Sequence, residues 1–238
     1  MPSSCATIFS MNDDQAELIV RWYLELEKRI ESFVQTVPYR PDTAALFFPP
    51  LASAFLDACS VLDAVFREEY NGSLNRDNLT MPAYASEFEP RLSLKGKRTL
   101  FLQYPPEYMQ PFDGWTDRHG SYCSLQWWQD HNDLKHDRVA EHEKATLENC
   151  LLSLCALHQV ISQLPCFFHA AKRHSLLHFG TWNPAHMEDF IYTNPRGETI
   201  LFESSLFATP LGAEEFPENA RHIDATLYGK GNRLWRLV

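Results

Sequence analysis

The stretch ATLENCLLSLCALHQVISQL, residues 145–164, decides the fold class of this chain. Proline follows it at position 165, and a proline cannot continue an α-helix, so the helix is predicted to end there. Apolar residues recur along the stretch at steps of three and four, which is the period of an amphipathic helix. The stripe consists of Leu147, Leu151, Leu154, Leu157 or His158, and Ile161. Such a stripe must be buried, so we predict a long core helix that packs against other helices.

Two earlier segments have the same helical period and supply the expected partners. Residues 13–37 are predicted to be a long amphipathic helix, capped by Asp13 or Asp14 and ended by Pro38. Its predicted buried stripe is Leu18, Trp22, Leu26, Ile30, Phe33 and Val37. The segment 51–70 follows Pro49 and Pro50, which favour a helix start. Its predicted stripe is Leu51, Phe55, Cys59, Leu62 and Phe66.

The β-structure is predicted to be small and peripheral. Apolar and polar residues alternate around Lys95-Gly96-Lys97, which predicts a β-hairpin over about residues 85–104 inside a turn-rich insertion at 71–118. A second hairpin is predicted over about 188–207, with its turn at Asn194-Pro195-Arg196-Gly197. The sequence therefore predicts a mainly α protein with small β-hairpin insertions. Its helical domain would span 1–178 and would include a shorter helix over 166–178. A C-terminal β-extension would span 179–238, with an edge strand near the end.

Composition limits the classes of function. The 238 residues carry a formal net charge of −10, and an acidic chain does not attract nucleic acid non-specifically. Six cysteines occur without a CxxC pair, and those at 59, 150 and 155 lie in apolar helical patterns, which predicts buried reduced thiols. We expect no cofactor and no metal. No leader pattern and no apolar run of spanning length is evident, so a cytoplasmic protein without a membrane contact is predicted.

The stretch WWQDHNDLKHDR, residues 127–138, carries the candidate chemistry. On a helix, Asn132 and His136 face the same way, with Lys135 beside them. Histidine suits proton transfer near neutral pH, and a lysine can stabilise the charge of a phosphate. The alternative is a core helix that the tryptophans anchor and whose histidines are structural. The histidines at 131 and 136 are five apart, which is not the spacing of a zinc-binding helix.

Asp63 lies beside the apolar stripe of residues 51–70, and its role has two interpretations. It lies either on the exposed edge of that helix or, as a buried aspartate, pairs with a polar partner. In the second case Asp63, Asn132 and His136 would form a buried polar network that fixes helix packing.

These residues resemble a group of bacterial HEPN-like proteins. The run WWQDHNDLKHDR is similar to the pattern WWxxYNxxKHxR of that group, and an apolar helix follows it in both. The segment Ala58-Cys59-Ser60, with Asp63 after it, resembles the group's second helix, and Pro111-Phe112 before the motif is also similar. The resemblance covers about residues 13–165. It implies a HEPN-like bundle of four or five helices that forms a homodimer.

The resemblance also implies a function. Many HEPN domains are metal-independent ribonucleases of toxin–antitoxin and related defence systems, with an arginine, a polar residue after it, and a histidine four to six residues further on. His136 matches the histidine and Asn132 the polar residue, but His131 stands in the arginine's position. Losing that charge could cost on the order of 10²–10³ in rate. Lys135 and Arg138 are the candidate phosphate-binding residues.

Two functions follow, and the sequence leaves both open. The first is an endoribonuclease in which His136 acts at a dimer interface, Asn132 orients the reacting groups, and Lys135 and Arg138 bind RNA phosphate. The second is a non-catalytic or diverged dimeric module of a defence-type system, which binds a partner protein or a nucleotide. The missing arginine and the acidic net charge favour the second.

Overall fold

The structure is a computed structural model, and it describes most of the chain. It describes residues 11–103, 107–181, 198–211, 220–222 and 235–237. Side chains are described for 11–103 apart from 77, for 107–177 and for 201–211. Within these residues the protein is mainly helical, as the sequence predicted, with a small antiparallel sheet.

Six α-helices and seven short strands are present in the described parts of the chain. The helices are α1 (Asp13–Val34), α2 (Pro49–Glu69), α3 (Met81–Leu92), α4 (Gln126–His136), α5 (Leu147–Gln163) and α6 (Phe168–Arg173). The strands are β1 (Thr99–Phe101), β2 (Glu107–Met109), β3 (Leu177–Thr181), β4 (Glu198–Glu203), β5 (Phe207–Pro210), β6 (Ala220–His222) and β7 (Trp235–Leu237).

Helix α5 is the centre of the core and confirms the prediction from residues 145–164. The Thr146 side chain caps it by accepting a hydrogen bond from the Asn149 amide at 3.1 Å. The helix ends at Gln163, two residues before Pro165. Every residue of the predicted stripe is buried, and α5 packs against α1, α2, α4 and β5. Each large apolar side chain buried here stabilises the fold by about 1.5–3 kcal/mol.

Helix α1 exists as predicted, but its ends and its buried face differ. Asn12, and neither of the two aspartates that follow it, caps the helix, through a reciprocal pair of hydrogen bonds with Gln15. Leu18 and Trp22 were predicted to be buried, yet 46% and 47% of their surfaces are exposed. The buried face is centred on Tyr23 instead. Apolar residues cover so wide an arc of this helix that their spacing alone does not fix which side is buried.

Helix α2 begins at Pro49 and buries the whole predicted stripe from Leu51 to Phe66. It is the one described helix that is long and apolar enough to cross a membrane on its own, which the sequence analysis did not expect. Half of the apolar window is buried inside the protein, where α2 packs against α1, α4 and α5. A core helix passes the same test, so the cytoplasmic location stays a prediction.

Residues 85–104 do not form the predicted hairpin. Residues 81–92 form α3, whose Tyr84, Ala85 and Phe88 lie at helical spacing and are buried. The Lys95-Gly96 pair lies in a 3₁₀ turn, and the true hairpin pairs β1 with β2, Leu100 opposite Tyr108. The alternation of apolar and polar residues through 91–101 matched a strand pattern, but only its last three residues are in a strand.

The two predicted β regions belong to one sheet. Its strand order is β2-β1-β5-β4-β3, and every pairing is antiparallel. Strand β4 confirms the second half of the hairpin predicted over 188–207, but its partner is β3, with Gly180 opposite Thr199. The predicted turn at 194–197 lies outside the described residues. The predicted edge strand near the end is β7, which pairs with β6 in a separate two-stranded sheet.

Cysteines 59, 150 and 155 are buried and free, as predicted. Burial raises the pKa of each of these thiols well above its ordinary value, which keeps them protonated. Cys123 is exposed and also free.

Candidate functional site

The motif 127–138 forms α4 and a short extension beyond it. The helix begins at Gln126, and no side chain caps it. Trp127 is buried and its ring N–H donates to the Pro111 carbonyl at 2.7 Å, which anchors the helix to the preceding loop. This part of the motif therefore has the structural role that the alternative interpretation gave it.

A cavity of about 440 Å³ lies between α2, the start of α3 and α4. One face of α4 lines it, because Trp128, His131, Asn132 and Lys135 are spaced at three and four residues. The facing residues of α2 include Asp63 and Arg67. The cavity thus brings together His131, Asn132 and Lys135 of the motif with Asp63, which is distant in sequence.

Asp63 is paired, although its side chain is 31% exposed. It accepts a hydrogen bond from the Tyr84 hydroxyl at 2.8 Å and from the Arg67 guanidinium at 2.8 Å. Burial and the Asp63 carboxylate together raise the pKa of Tyr84 above its ordinary value. Asp63 therefore lies between the two predicted alternatives, half-buried but held by two partners from α2 and α3.

His131 is a neutral imidazole in the wall of the cavity. It is 4% exposed, and its ring lies 4.9 Å from that of Trp128 and 6.0 Å from that of Phe55, centroid to centroid. Neither ring nitrogen makes a hydrogen bond of good geometry among the described residues, although the Asn132 side chain lies close enough to raise the pKa of the ring slightly. Burial, and next the charge of Lys135, lower the pKa of His131 to about 4, against the opposing charge of Asp63. At pH 7 this side chain carries no positive charge for a phosphate.

His136 and Arg138 lie outside the cavity. His136 is the last residue of α4 and is exposed, and Arg138 follows the helix with an exposed side chain. The predicted network of Asp63, Asn132 and His136 is therefore incomplete, because only Asp63 and Asn132 line the same space. The six predicted site residues divide into four at the cavity and two on the surface beyond it.

The sequence analysis missed the two hydrogen-bond partners of Asp63. Arg67 stands four residues after Asp63 on α2, a spacing that permits an ion pair on one helix face and could have been noticed. Tyr84 had no such signal, because it lies on α3, in the insertion where no helix was predicted.

A second polar cluster, also missed, lies inside the fold. The Tyr23 hydroxyl is 2.8 Å from each of three groups: the Glu27 carboxylate, the His158 Nδ1 and the Ser204 hydroxyl. All four side chains are buried, and burial lowers the pKa of His158 to about 3. Glu27 also accepts the backbone amide of Leu206 at 3.0 Å, which fixes the β4–β5 turn to α1. Buried in this way, the cluster is structural.

The described residues contain no group of three or more His, Cys, Asp or Glu side chains that could hold a metal ion. Comparison of the chain with protein-family models, with curated proteins and with solved structures gives no match.

Proposed function

We propose that this protein is a HEPN-like, non-catalytic module that binds a small polar ligand in the cavity between α2, α3 and α4. The observation that carries the proposal is the state of His131. Where the ribonuclease pattern needs a permanent positive charge, this chain has a buried imidazole with a pKa of about 4. Such a group does not stabilise the charge that develops on a phosphate during cleavage.

The position of His136 supports the same proposal. An acid–base catalyst must lie within hydrogen-bond reach of the proton that it moves. His136 is on the exposed end of α4, whereas Asn132 and Lys135, its supposed helpers, line the cavity. Within one chain His136 is therefore absent from the cavity lining that contains the other two groups.

The cavity is large enough for a small ligand. Its volume lies within the range of about 300–1,000 Å³ that is usual for small-molecule pockets. Its lining combines an aromatic ring, that of Trp128, with charged groups of both signs, Asp63 and Lys135. Lys135 has no ion-pair partner among the described residues.

The ribonuclease stays the second candidate for one reason. His136 is exposed and one helical turn beyond Asn132, so a second protomer could reach both across a dimer axis. The homodimer itself, a partner protein and a place in a bacterial defence or toxin–antitoxin system stay predictions.

Cleavage of total cellular RNA without added metal separates the two functions. We expect neither the wild-type protein nor His136→Ala to cleave RNA. Cleavage by the wild type that is lost in His136→Ala, with unchanged thermal stability, would replace the binding module by the ribonuclease.

Ligand binding is tested by blocking the cavity from its rim. Ser60 is exposed on α2 and lines the cavity, so Ser60→Trp fills it without disturbing the core. Ser53→Trp, seven residues earlier on the same helix face but outside the cavity, is the matched control. An ultrafiltered small-molecule fraction of cell extract should raise the Tm of the wild type and of Ser53→Trp, but not that of Ser60→Trp. Equal shifts in all three proteins would refute binding in this cavity.

A further inference from the structure

Asn71 and Gly72 form the one Asn-Gly pair in the sequence. They follow the end of α2 at Glu69, they lie in irregular backbone, and both are exposed. The side-chain carbonyl carbon of an asparagine can be attacked by the backbone nitrogen of the next residue. Glycine hinders this attack least, because it has no side chain. The pair is therefore the place in this chain where such a reaction meets the least steric hindrance.

The fold requires glycine at position 72. A Cβ at this position would overlap with the ring and the hydroxyl of Tyr70. The Tyr70 side chain is buried in the main hydrophobic core, so a larger residue at 72 would displace a core side chain. The packing of Tyr70 thus keeps the least hindered neighbour beside Asn71.

Hydrogen bonds in the described part of the chain do not hold the two reacting groups apart. The Asn71 side chain has no partner there, and the Gly72 N–H donates to no carbonyl there. The backbone a few residues further on is more ordered, because the Asn78 amide donates to the Asn75 carbonyl at 3.0 Å in a 3₁₀ turn. Where no hydrogen bond must break first, the free energy of local opening is close to zero.

We propose that Asn71 is a site of spontaneous deamidation. The Gly72 backbone nitrogen loses its proton to solvent base and attacks the side-chain carbonyl carbon of Asn71. A C–N bond forms in a succinimide ring, and the C–N bond of the side-chain amide breaks and releases ammonia. Water then opens the ring at one of its two carbonyls, which gives aspartate or isoaspartate. Water is the only co-reactant, and the inference is independent of the proposed function.

Either product changes the loop between α2 and α3. A new carboxylate two residues beyond Glu69 lies near the negative end of the α2 dipole, where negative charge is unfavourable. Isoaspartate also adds a methylene group to the backbone before Gly72, which changes the position of Gly72 relative to Tyr70. The same loop ends in Leu79 and Thr80, which line the cavity. The modification therefore alters the segment that carries one wall of the cavity.

Mass spectrometry of the purified full chain, aged at mildly alkaline pH, tests the proposal. Fragment ions that contain Asn71 but not Asn75 should gain about 1 Da, whereas those that contain only Asn75 or Asn78 should keep their mass. The rate should rise with pH, because the attacking nitrogen must lose its proton. The gain in mass separates deamidation from isomerisation at the Asp113-Gly114 pair, which leaves the mass unchanged.

Comparison with the chain unfolded in urea shows whether the fold leaves Asn71 reactive. The rate in the folded protein should lie within about threefold of that in the unfolded chain. If the reaction required global unfolding, the folded protein would react more than about 10³-fold more slowly. Such a suppression, or equal deamidation at Asn75, would overturn the proposal.

Two variants confirm the position. Asn71→Gln should abolish the gain in mass, because glutamine must close a larger and less favourable ring. Asn75→Gln, the same substitution at another exposed position of the loop, should leave the rate at Asn71 unchanged. Gain in mass by Asn71→Gln as fast as by the wild type would place the reaction elsewhere in the chain and refute the assignment.

Discussion

Replacing His131 by leucine is expected to make the protein markedly less sensitive to acid. The pKa of His131 is about 4 in the folded protein, against 6.5 for an ordinary histidine. Between those values the unfolded chain binds a proton that the folded chain does not, so the free energy of unfolding falls as the pH falls. The resulting loss in the free energy of unfolding is about 3 kcal/mol. The loss is absent above pH 6.5 and complete below pH 4.

The leucine variant lacks the ring that binds this proton in the unfolded chain. It keeps a side chain of similar size in the wall of the cavity. At pH 7 it should be at least as stable as the wild type, because two buried nitrogens without partners are lost with the imidazole. On going from pH 7 to pH 4 the wild type should lose about 3 kcal/mol more than the variant. His158, whose pKa is also lowered by burial, is present in both proteins, so its effect cancels in the difference.

Urea unfolding followed by far-UV circular dichroism at several pH values gives the required free energies. The matched control is His136→Leu, the same substitution at an exposed position of the same helix, which should keep the acid sensitivity of the wild type. If His131→Leu and the wild type lose stability in parallel between pH 7 and pH 4, His131 is not a buried neutral imidazole, and the argument for a non-catalytic site fails.

Two further predictions concern the scaffold, and both are checked by urea unfolding at pH 7. Glu27→Gln should lower the free energy of unfolding by about 2–3 kcal/mol, because the carboxylate accepts several buried hydrogen bonds. The control Glu25→Gln, at an exposed position, should have little effect. Equal losses of unfolding free energy in the two variants would contradict a structural role for the cluster. Asn12→Ala should cost about 1 kcal/mol by removing the cap of α1. The loss from Asp13→Ala should be smaller, because that change removes only a favourable charge in the first turn and an exposed contact with His169 at 3.4 Å. A larger loss of unfolding free energy from Asp13→Ala than from Asn12→Ala would show that an aspartate caps α1.

The core helices could be predicted because their signals were local and agreed with one another. In α5 the stripe, the Thr146 cap and the following proline all indicate the same element. In α2 the proline pair and a narrow stripe leave one solution for the buried face. Where sequence signals are consistent in this way, tertiary packing only confirms what the segment already prefers.

The errors occurred where the choice depends on distant partners. On α1 an apolar surface containing Leu18 and Trp22 competes with one containing Tyr23, and the buried partners of the tyrosine are contributed by α5 and the β4–β5 turn. No local pattern contains that information. In α3 a Pro90 near the C-terminal end and the alternation just beyond it masked a short helix whose contacts are with α2.

The surroundings of the candidate site residues also depend on distant partners. Helical spacing placed Asn132 and His136 on one side of α4, but it could not show that the helix ends at His136 and that the cavity lies nearer its middle. The pairing of Asp63 depended on Tyr84, from an element that was not predicted. The sequence therefore did not show how deeply these side chains are buried or which partners they have.

The surroundings of position 131 would not suit an arginine. The wall around position 131 is aromatic, formed by Phe55 and Trp128, and the nearest carboxylate, Asp63, already holds Arg67. A guanidinium in this place would be a buried charge next to the ammonium of Lys135, without a free partner to offset its desolvation. Position 131 therefore lacks the surroundings that a catalytic arginine needs. The proposal of a non-catalytic module therefore rests on the surroundings of position 131 as well as on the side chain that occupies it.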